Sequence, residues 1–218
     1  MKIVTDEAQE RYWKRVGYRD SDHPVAKAYA TPKIDHISKF VDLQHARILD
    51  VGCGTGVFTG LLSTLSPFVV GVDYSEYMLR RNPGRVLLRG RGEELPFKSA
   101  TFGVVFAANL LHHSADSVGI VREMARVSRR YIVLIEPNRL NPIMLLFSFL
   151  VREERGGLRS SKSHLTRLLR DNGLEVIRCS AMGMISQNNT PRILVPLLKI
   201  CDREIVWGEY LVAIAKKS

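Results

Sequence analysis

The run Ile48-Leu49-Asp50-Val51-Gly52-Cys53-Gly54-Thr55-Gly56 constrains this chain more than any other stretch. An apolar segment closes on an acid and then on three glycines at alternate positions. Apolar residues entering a glycine-rich turn, with Val57-Phe58-Thr59-Gly60-Leu61-Leu62 behind it, read as a buried parallel strand running into a helix. Glycines let a backbone approach a ligand with no Cβ between them. A dinucleotide site would space them G-x-G-x-x-G to hold a pyrophosphate on the helix N-terminus. The spacing here is G-x-G-x-G behind Asp50, which favours a ligand lacking a pyrophosphate. The alternative is a βα turn with no ligand.

The next apolar run, Phe68-Val69-Val70-Gly71-Val72, ends at Asp73 and leads into Tyr74-Ser75-Glu76-Tyr77-Met78-Leu79. An acid at the tip of the second strand, about 20 residues past the glycine turn, is where a doubly wound fold holds ribose hydroxyls. A carboxylate accepts both vicinal hydroxyls in charge-assisted hydrogen bonds. Asp73 equally fits the N-cap of the following helix. Tyr74 and Met78 can flank an adenine or simply pack in the core.

A third segment, Arg91-Gly92-Glu93-Glu94-Leu95-Pro96-Phe97, precedes the strand Phe102-Gly103-Val104-Val105-Phe106-Ala107. Together the three segments resemble the class I S-adenosylmethionine (SAM) methyltransferases, and among them the quinone-biosynthesis (type 11) subgroup. The resemblance covers residues 46 to 138. It implies that the turn carrying Gly52, Cys53, Gly54 and Gly56, with Asp50 before it, holds the methionyl part of SAM. It implies Asp73 at the ribose, Tyr74 and Met78 beside the adenine, and the Gly92 N–H on an adenine ring nitrogen. The subgroup's Asp-Ala-Glu is Arg91-Gly92-Glu93 here, so the acid facing the adenine amino group is missing and Glu93 or Glu94 compensates. Phe102-Gly103 likewise departs from Phe-Asp. Asn109-Leu110-Leu111-His112-His113 then falls where the family places the cofactor's methyl end and the acceptor. The demethylated product is S-adenosylhomocysteine (SAH).

Strands alternating with helical patterns from residue 46 onward imply parallel βαβ units under helices on both faces. The expected elements are strands at 46–51, 68–73, 86–89, 102–107 and 131–136, and helices near 55–65, 75–81 and 116–127. A helix follows Asn141-Pro142, and another opens at Ser163 and stops at Asn172-Gly173. Leu174 to Cys179 and Tyr210 to Ala215 supply a final strand pair. That makes a Rossmann-like doubly wound α/β sheet of seven strands, the last antiparallel. Residues 1–45 form an N-terminal helical cap, interrupted by Pro24 and Pro32, on a core of 46–218. At 218 residues the chain reads as one domain. Met1 to Glu7 lacks the apolar core of a signal peptide. The longest apolar run, Pro142 to Val151, is shorter than the roughly 20 residues a bilayer span needs. Cytoplasm is the expected compartment. Cys53, Cys179 and Cys201 suggest neither disulfides nor a zinc pattern, and the six histidines show no metal-ligand spacing.

Methyl transfer from a sulfonium is an in-line displacement, so alignment and water exclusion carry most of it. A general base matters when the acceptor arrives protonated. His112 and His113 lie beyond a strand's C-terminal end, where such sheets bind ligands, though histidines there also hydrogen-bond locally. Glu136 either faces the acceptor or belongs to an Glu136-Pro137-Asn138 turn. Tyr12-Trp13 and Asp22-His23 are candidates to lid the site. The acceptor is expected to be a small molecule or a lipid-linked precursor. Ile143-Met144-Leu145-Leu146-Phe147 either faces an apolar acceptor or membrane, or packs as a buried helix on the sheet. A net charge of +10 suits an anionic membrane surface, an acidic substrate or RNA, and equally suits solvated helix faces. RNA is the less favoured partner, because no aromatic-basic stacking pattern accompanies the arginines. A methyltransferase-fold protein without catalysis is the remaining reading.

Overall fold

A computed structural model describes residues 6–217. The signal-peptide expectation at Met1–Thr5 therefore lies outside the described residues. Two helices, α1 (Asp6–Val16) and α2 (Pro24–Ser38), precede β1 (Ile48–Val51). Then come α3 (Val57–Leu65), β2 (Val69–Asp73), α4 (Glu76–Leu79), β3 (Leu87–Arg89) and β4 (Phe102–Ala108). α5 (Ser117–Val127), β5 (Ser128–Pro137), α6 (Pro142–Leu150) and α7 (Lys162–Asp171) follow. The last elements are β6 (Leu174–Met182), α8 (Val195–Leu198) and β7 (Tyr210–Lys217).

The strands form one sheet in the order β3-β2-β1-β4-β5-β7-β6. β1 to β5 pair in parallel, and β7 runs antiparallel between β5 and β6. Alternate side chains serve opposite faces, as the pleat dictates. Val104, Phe106, Val133, Ile135, Val212 and Ile214 pack with α2 and α3. Val105, Ala107, Ile132, Leu134, Leu211 and Ala213 pack with α5 and α7. Burial on both faces explains why these strands read as continuous apolar runs. The order reverses between β1 and β4, the switch point where a crevice opens at the strands' C-terminal ends.

Four local expectations are corrected. Pro32 lies inside α2 and does not interrupt it, while Pro24 starts that helix. Val25, Ala26, Tyr29, Ala30, Ile34 and Ile37 are buried along α2, and their packing outweighs the roughly 3 kcal/mol a helical proline costs. α7 is capped by Ser161, whose hydroxyl accepts from the His164 N–H, and not by Ser163. β5 begins at Ser128, earlier than its apolar run, because Arg129 and Arg130 are exposed strand residues. α6 is not buried on the sheet: only Met144 and Ser148 are buried along it. No helix among the described residues is long and apolar enough to cross a membrane.

Candidate functional site

The glycine turn after β1 is built by three left-handed residues, Gly52 (φ 70°), Gly54 (φ 50°) and Gly56 (φ 81°). A Cβ on Gly54 would meet nothing within 4 Å, so this position faces open space. One on Gly56 would collide with Asn82 and Pro83. Asn82 holds the turn from outside, its Nδ2 donating to the Gly54 carbonyl (3.0 Å). Asp50 sits below, accepting from the Thr59 hydroxyl (2.6 Å) and tying the strand end to α3. Burial pushes the Asp50 carboxyl up to about 7; the Thr59 bond opposes this and nearby Asp73 adds to it.

Asp73 closes the turn from β2. One oxygen accepts from the Gly54 N–H (2.8 Å) and the other from the Ser75 N–H (2.8 Å). The helix cap is Ser75, which accepts from the Met78 N–H, so the N-cap alternative for Asp73 falls away. Burial raises the Asp73 carboxyl, against the pull of those two N–H groups. A carboxylate offers about four acceptor positions, which leaves room for further donors.

Asp50, the three glycines and Asp73 line one cavity together with Cys53, Tyr74, Met78, Gly92, Glu93 and Asn109. Glu93 accepts from the Ser114 hydroxyl (3.0 Å). The following Leu-Pro-Phe loop is clamped by Arg126, which donates to the Leu95 and Phe97 carbonyls. Asn109 adopts φ 54°, a conformation non-glycine residues rarely hold and one that clusters at functional sites. Its Nδ2 donates to the Tyr29 hydroxyl (2.8 Å), while its buried Oδ1 has no hydrogen-bond partner. A ligand bearing an ammonium would satisfy that orphan acceptor.

Of the candidate lid residues, Tyr12 and Trp13 of α1 line the cavity, with the Trp13 ring 5.6 Å from Tyr74. Asp22 and His23 do not; His23 caps α2, accepting from the Val25 N–H.

Among the proposed catalytic groups, His112 and His113 line the cavity and Glu136 does not. Glu136 is buried behind them and accepts four hydrogen bonds. Three come from the N–H groups of Leu110 (3.0 Å), Leu111 (2.7 Å) and His112 (3.2 Å), and the fourth from His112 Nδ1 (2.6 Å). It is a positioning residue: its strand runs under the turn it organises, so its carboxylate points at backbone and not at an acceptor. Glu154, unmarked by any sequence motif, meets His112 Nε2 at 3.4 Å. The Tyr12 hydroxyl bonds to Glu154, and Gln9 bonds to His113 Nδ1 (3.1 Å). The fold thus gathers His112, His113 and Glu154, with ligand-type atoms within 4.8 Å of one another, where spacing gave no hint of a cluster. The two carboxylates flanking His112 give this group an internal account as a proton-holding network.

The two histidines differ electrostatically. Burial works against the His112 imidazolium, but the Glu136 and Glu154 carboxylates override it and raise the group to about 10. Burial lowers His113 to about 4, and the His112 charge adds to that. At pH 7 His112 is charged and His113 neutral. His112 therefore contributes stability that is full below its unfolded pKa of about 6.5 and lost as pH rises towards about 10. His113 acts oppositely: stability falls as pH drops from about 6.5 to about 4. Nitrogen NMR of the rings should show His112 protonated on both nitrogens at pH 8 and His113 on one. A neutral His112 at that pH would contradict the network.

Residues 49–133 match a protein family described as "Methyltransferase domain". The chain is 30% identical over 125 residues to the 27-O-demethylrifamycin SV methyltransferase of Amycolatopsis mediterranei, covering 52% of this chain and 46% of that protein. It is 33% identical over 109 residues to the demethylmenaquinone methyltransferase of Corynebacterium kroppenstedtii, covering 49% and 48%. The chain spans about half the length of these curated relatives. A SAM-dependent methyltransferase from Thermotoga maritima superposes with a TM-score of 0.70 at 18% identity, over 95% of this chain and 94% of that one. Magnesium protoporphyrin IX methyltransferase from Synechocystis, solved with bound SAH, gives 0.63 at 17% identity, over 95% and 93%. The glycine turn, the acid-tipped second strand and the seven-stranded sheet thus stand on a chain whose residues 49–133 match the methyltransferase-domain family and whose fold is that of solved methyltransferases.

Proposed function

We propose that the protein transfers the methyl group of SAM to an apolar acceptor, a small molecule or a lipid-linked precursor, and releases SAH. One observation carries this reading. The glycine turn, Asp73 and Asn109, whose buried Oδ1 has no partner, line a single cavity together with the apolar pair Met144 and Phe147. The sulfonium of SAM supplies both the methyl group and its leaving group. The Gly52–Gly56 turn receives the methionyl part, and Asn109 Oδ1 accepts from its ammonium. Asp73 takes the ribose hydroxyls, Tyr74 and Met78 flank the adenine, and Gly92 and Glu93 meet its edge. Tyr12 and Trp13 cover the site and keep water from the reacting centre. His113 lines the cavity as a neutral imidazole that burial makes a weak base, which suits an acceptor needing little deprotonation, such as a phenol or an acidic carbon. His112, held charged between Glu136 and Glu154, fixes the Leu110–His113 turn in the cavity wall.

By their names, two relatives methylate 27-O-demethylrifamycin SV and demethylmenaquinone, which are small-molecule acceptors. Calorimetry should show binding of SAM and SAH but not NAD. SAH at about 100 times its dissociation constant should stabilise the fold by roughly 2.7 kcal/mol. Labelled methyl donor should then place counts in an organic extract. Counts in RNA instead would replace the acceptor class, and no heat with either SAM or SAH would remove the cofactor reading itself.

A further inference from the structure

α6 carries no charged residue from Pro142 to Leu150, and it turns its apolar side outward. Ile143, Leu146, Phe149 and Leu150 are 58–68% exposed, whereas Met144 and Ser148 face inward. A helix apolar all round is ordinarily covered by something. Residues 191–207 repeat the pattern, with Ile193, Leu197, Ile200, Val206 and Trp207 between 61% and 85% exposed. The two segments adjoin. Asn141, which caps α6, donates to the Trp207 carbonyl (2.6 Å), and Asn138 donates to that of Gly208 (2.8 Å). Phe147, Val195 and Leu198 pack against the same core cluster. α6 borders the cavity through Met144 and Phe147, and residues 191–207 follow directly on Ser186 to Asn189, which line it as well.

Cations lie beside α6 and within residues 191–207 along the chain. Arg139, Arg152, Arg155, Arg192, Lys199 and Arg203 are exposed, and none makes an ion pair among the described residues. Exposed apolar side chains interspersed with basic ones, with an exposed tryptophan among them, match the chemistry of an anionic lipid interface. A second copy of the chain fits worse. A two-fold contact sets the same patch on both partners, so it would oppose six cations to six cations.

We propose that α6 and residues 191–207 form a docking face for an anionic phospholipid bilayer, seating the cavity mouth against the membrane. The apolar part of the acceptor then enters alongside Met144 and Phe147. Docking itself follows from the surface; only the acceptor's entry rests on the methyl-transfer reading.

The test is co-sedimentation with vesicles of phosphatidylglycerol and phosphatidylcholine, against pure phosphatidylcholine, at low and high salt. Wild type should bind the anionic vesicles and lose most of that binding in high salt. Arg192→Ala with Lys199→Ala should weaken partitioning about 25-fold, at about fivefold per cation. Leu146→Glu with Phe149→Glu should abolish it. All four side chains are exposed, so circular dichroism and SAH affinity should stay at wild-type values. Wild type that ignores anionic vesicles, or variants that bind them equally well, would overturn the proposal. So would a wild-type dimer that ignores vesicles and becomes monomeric with the Glu substitutions. Vesicle binding without SAM or SAH binding would uphold the docking face and remove the methyl-transfer reading; the reverse result would do the opposite.

Discussion

Glu136→Ala is expected to cost about 3–5 kcal/mol of stability, the range for removing one partner of a buried ion pair. Glu136 is only 1% exposed and accepts from three backbone N–H groups and one imidazole. Truncation strands all four donors, and a charged His112 is left with Glu154 alone, at 3.4 Å. A stranded buried donor costs more than its hydrogen bond contributes. The turn at Leu110–His113 should then lose its register, and the cavity wall with it. Glu136→Gln separates the two causes: it keeps an acceptor for the N–H groups and removes the charge that holds His112 protonated. Urea unfolding should rank wild type above Gln and Gln above Ala. If the Ala variant unfolds at the wild-type midpoint, Glu136 does not organise the turn.

Asp73→Ala should weaken SAM and SAH binding by about 1.5–3 kcal/mol, roughly 10- to 100-fold, as expected for losing hydrogen bonds to a charged group. The substitution removes a partner for the ribose and also the acceptor of the Gly54 N–H, so the glycine turn loosens together with the contact. Asp73→Asn keeps one oxygen for the turn and should retain part of the affinity. Calorimetry with SAH reads both effects. Affinity within twofold of wild type in the Ala variant would mean that ribose is held elsewhere.

The sheet was legible because its strands are buried on both faces. Ile48–Val51, Val69–Asp73, Phe102–Ala108 and the apolar part of β5 stand out as apolar runs, and Gly52, Gly54, Gly56 and Asp73 mark the ends where the first two open. Asn82 shows only as a turn signal before Pro83-Gly84, with nothing to say that its amide reaches 28 residues back to Gly54. Glu154 belongs to no motif, and its meeting with His112 depends on how the 3-10 segment Arg152–Arg159 packs against Leu111–His113. Gly156 makes that approach possible, since a Cβ there would strike the His112 carbonyl.

The sequence by itself determined the alternation of strands and helices, the glycine turn and its acid, because these are local patterns of period, spacing and backbone freedom. Only the tertiary structure decided that Glu136 faces inward as an acceptor, that His112 and His113 differ in charge, and that α6 shows its apolar side outward. Each of those depends on what lies across the fold from the residue. Burial and the field of distant carboxylates are properties of assembled neighbours, and an apolar run reads the same whether its neighbours are a sheet or solvent.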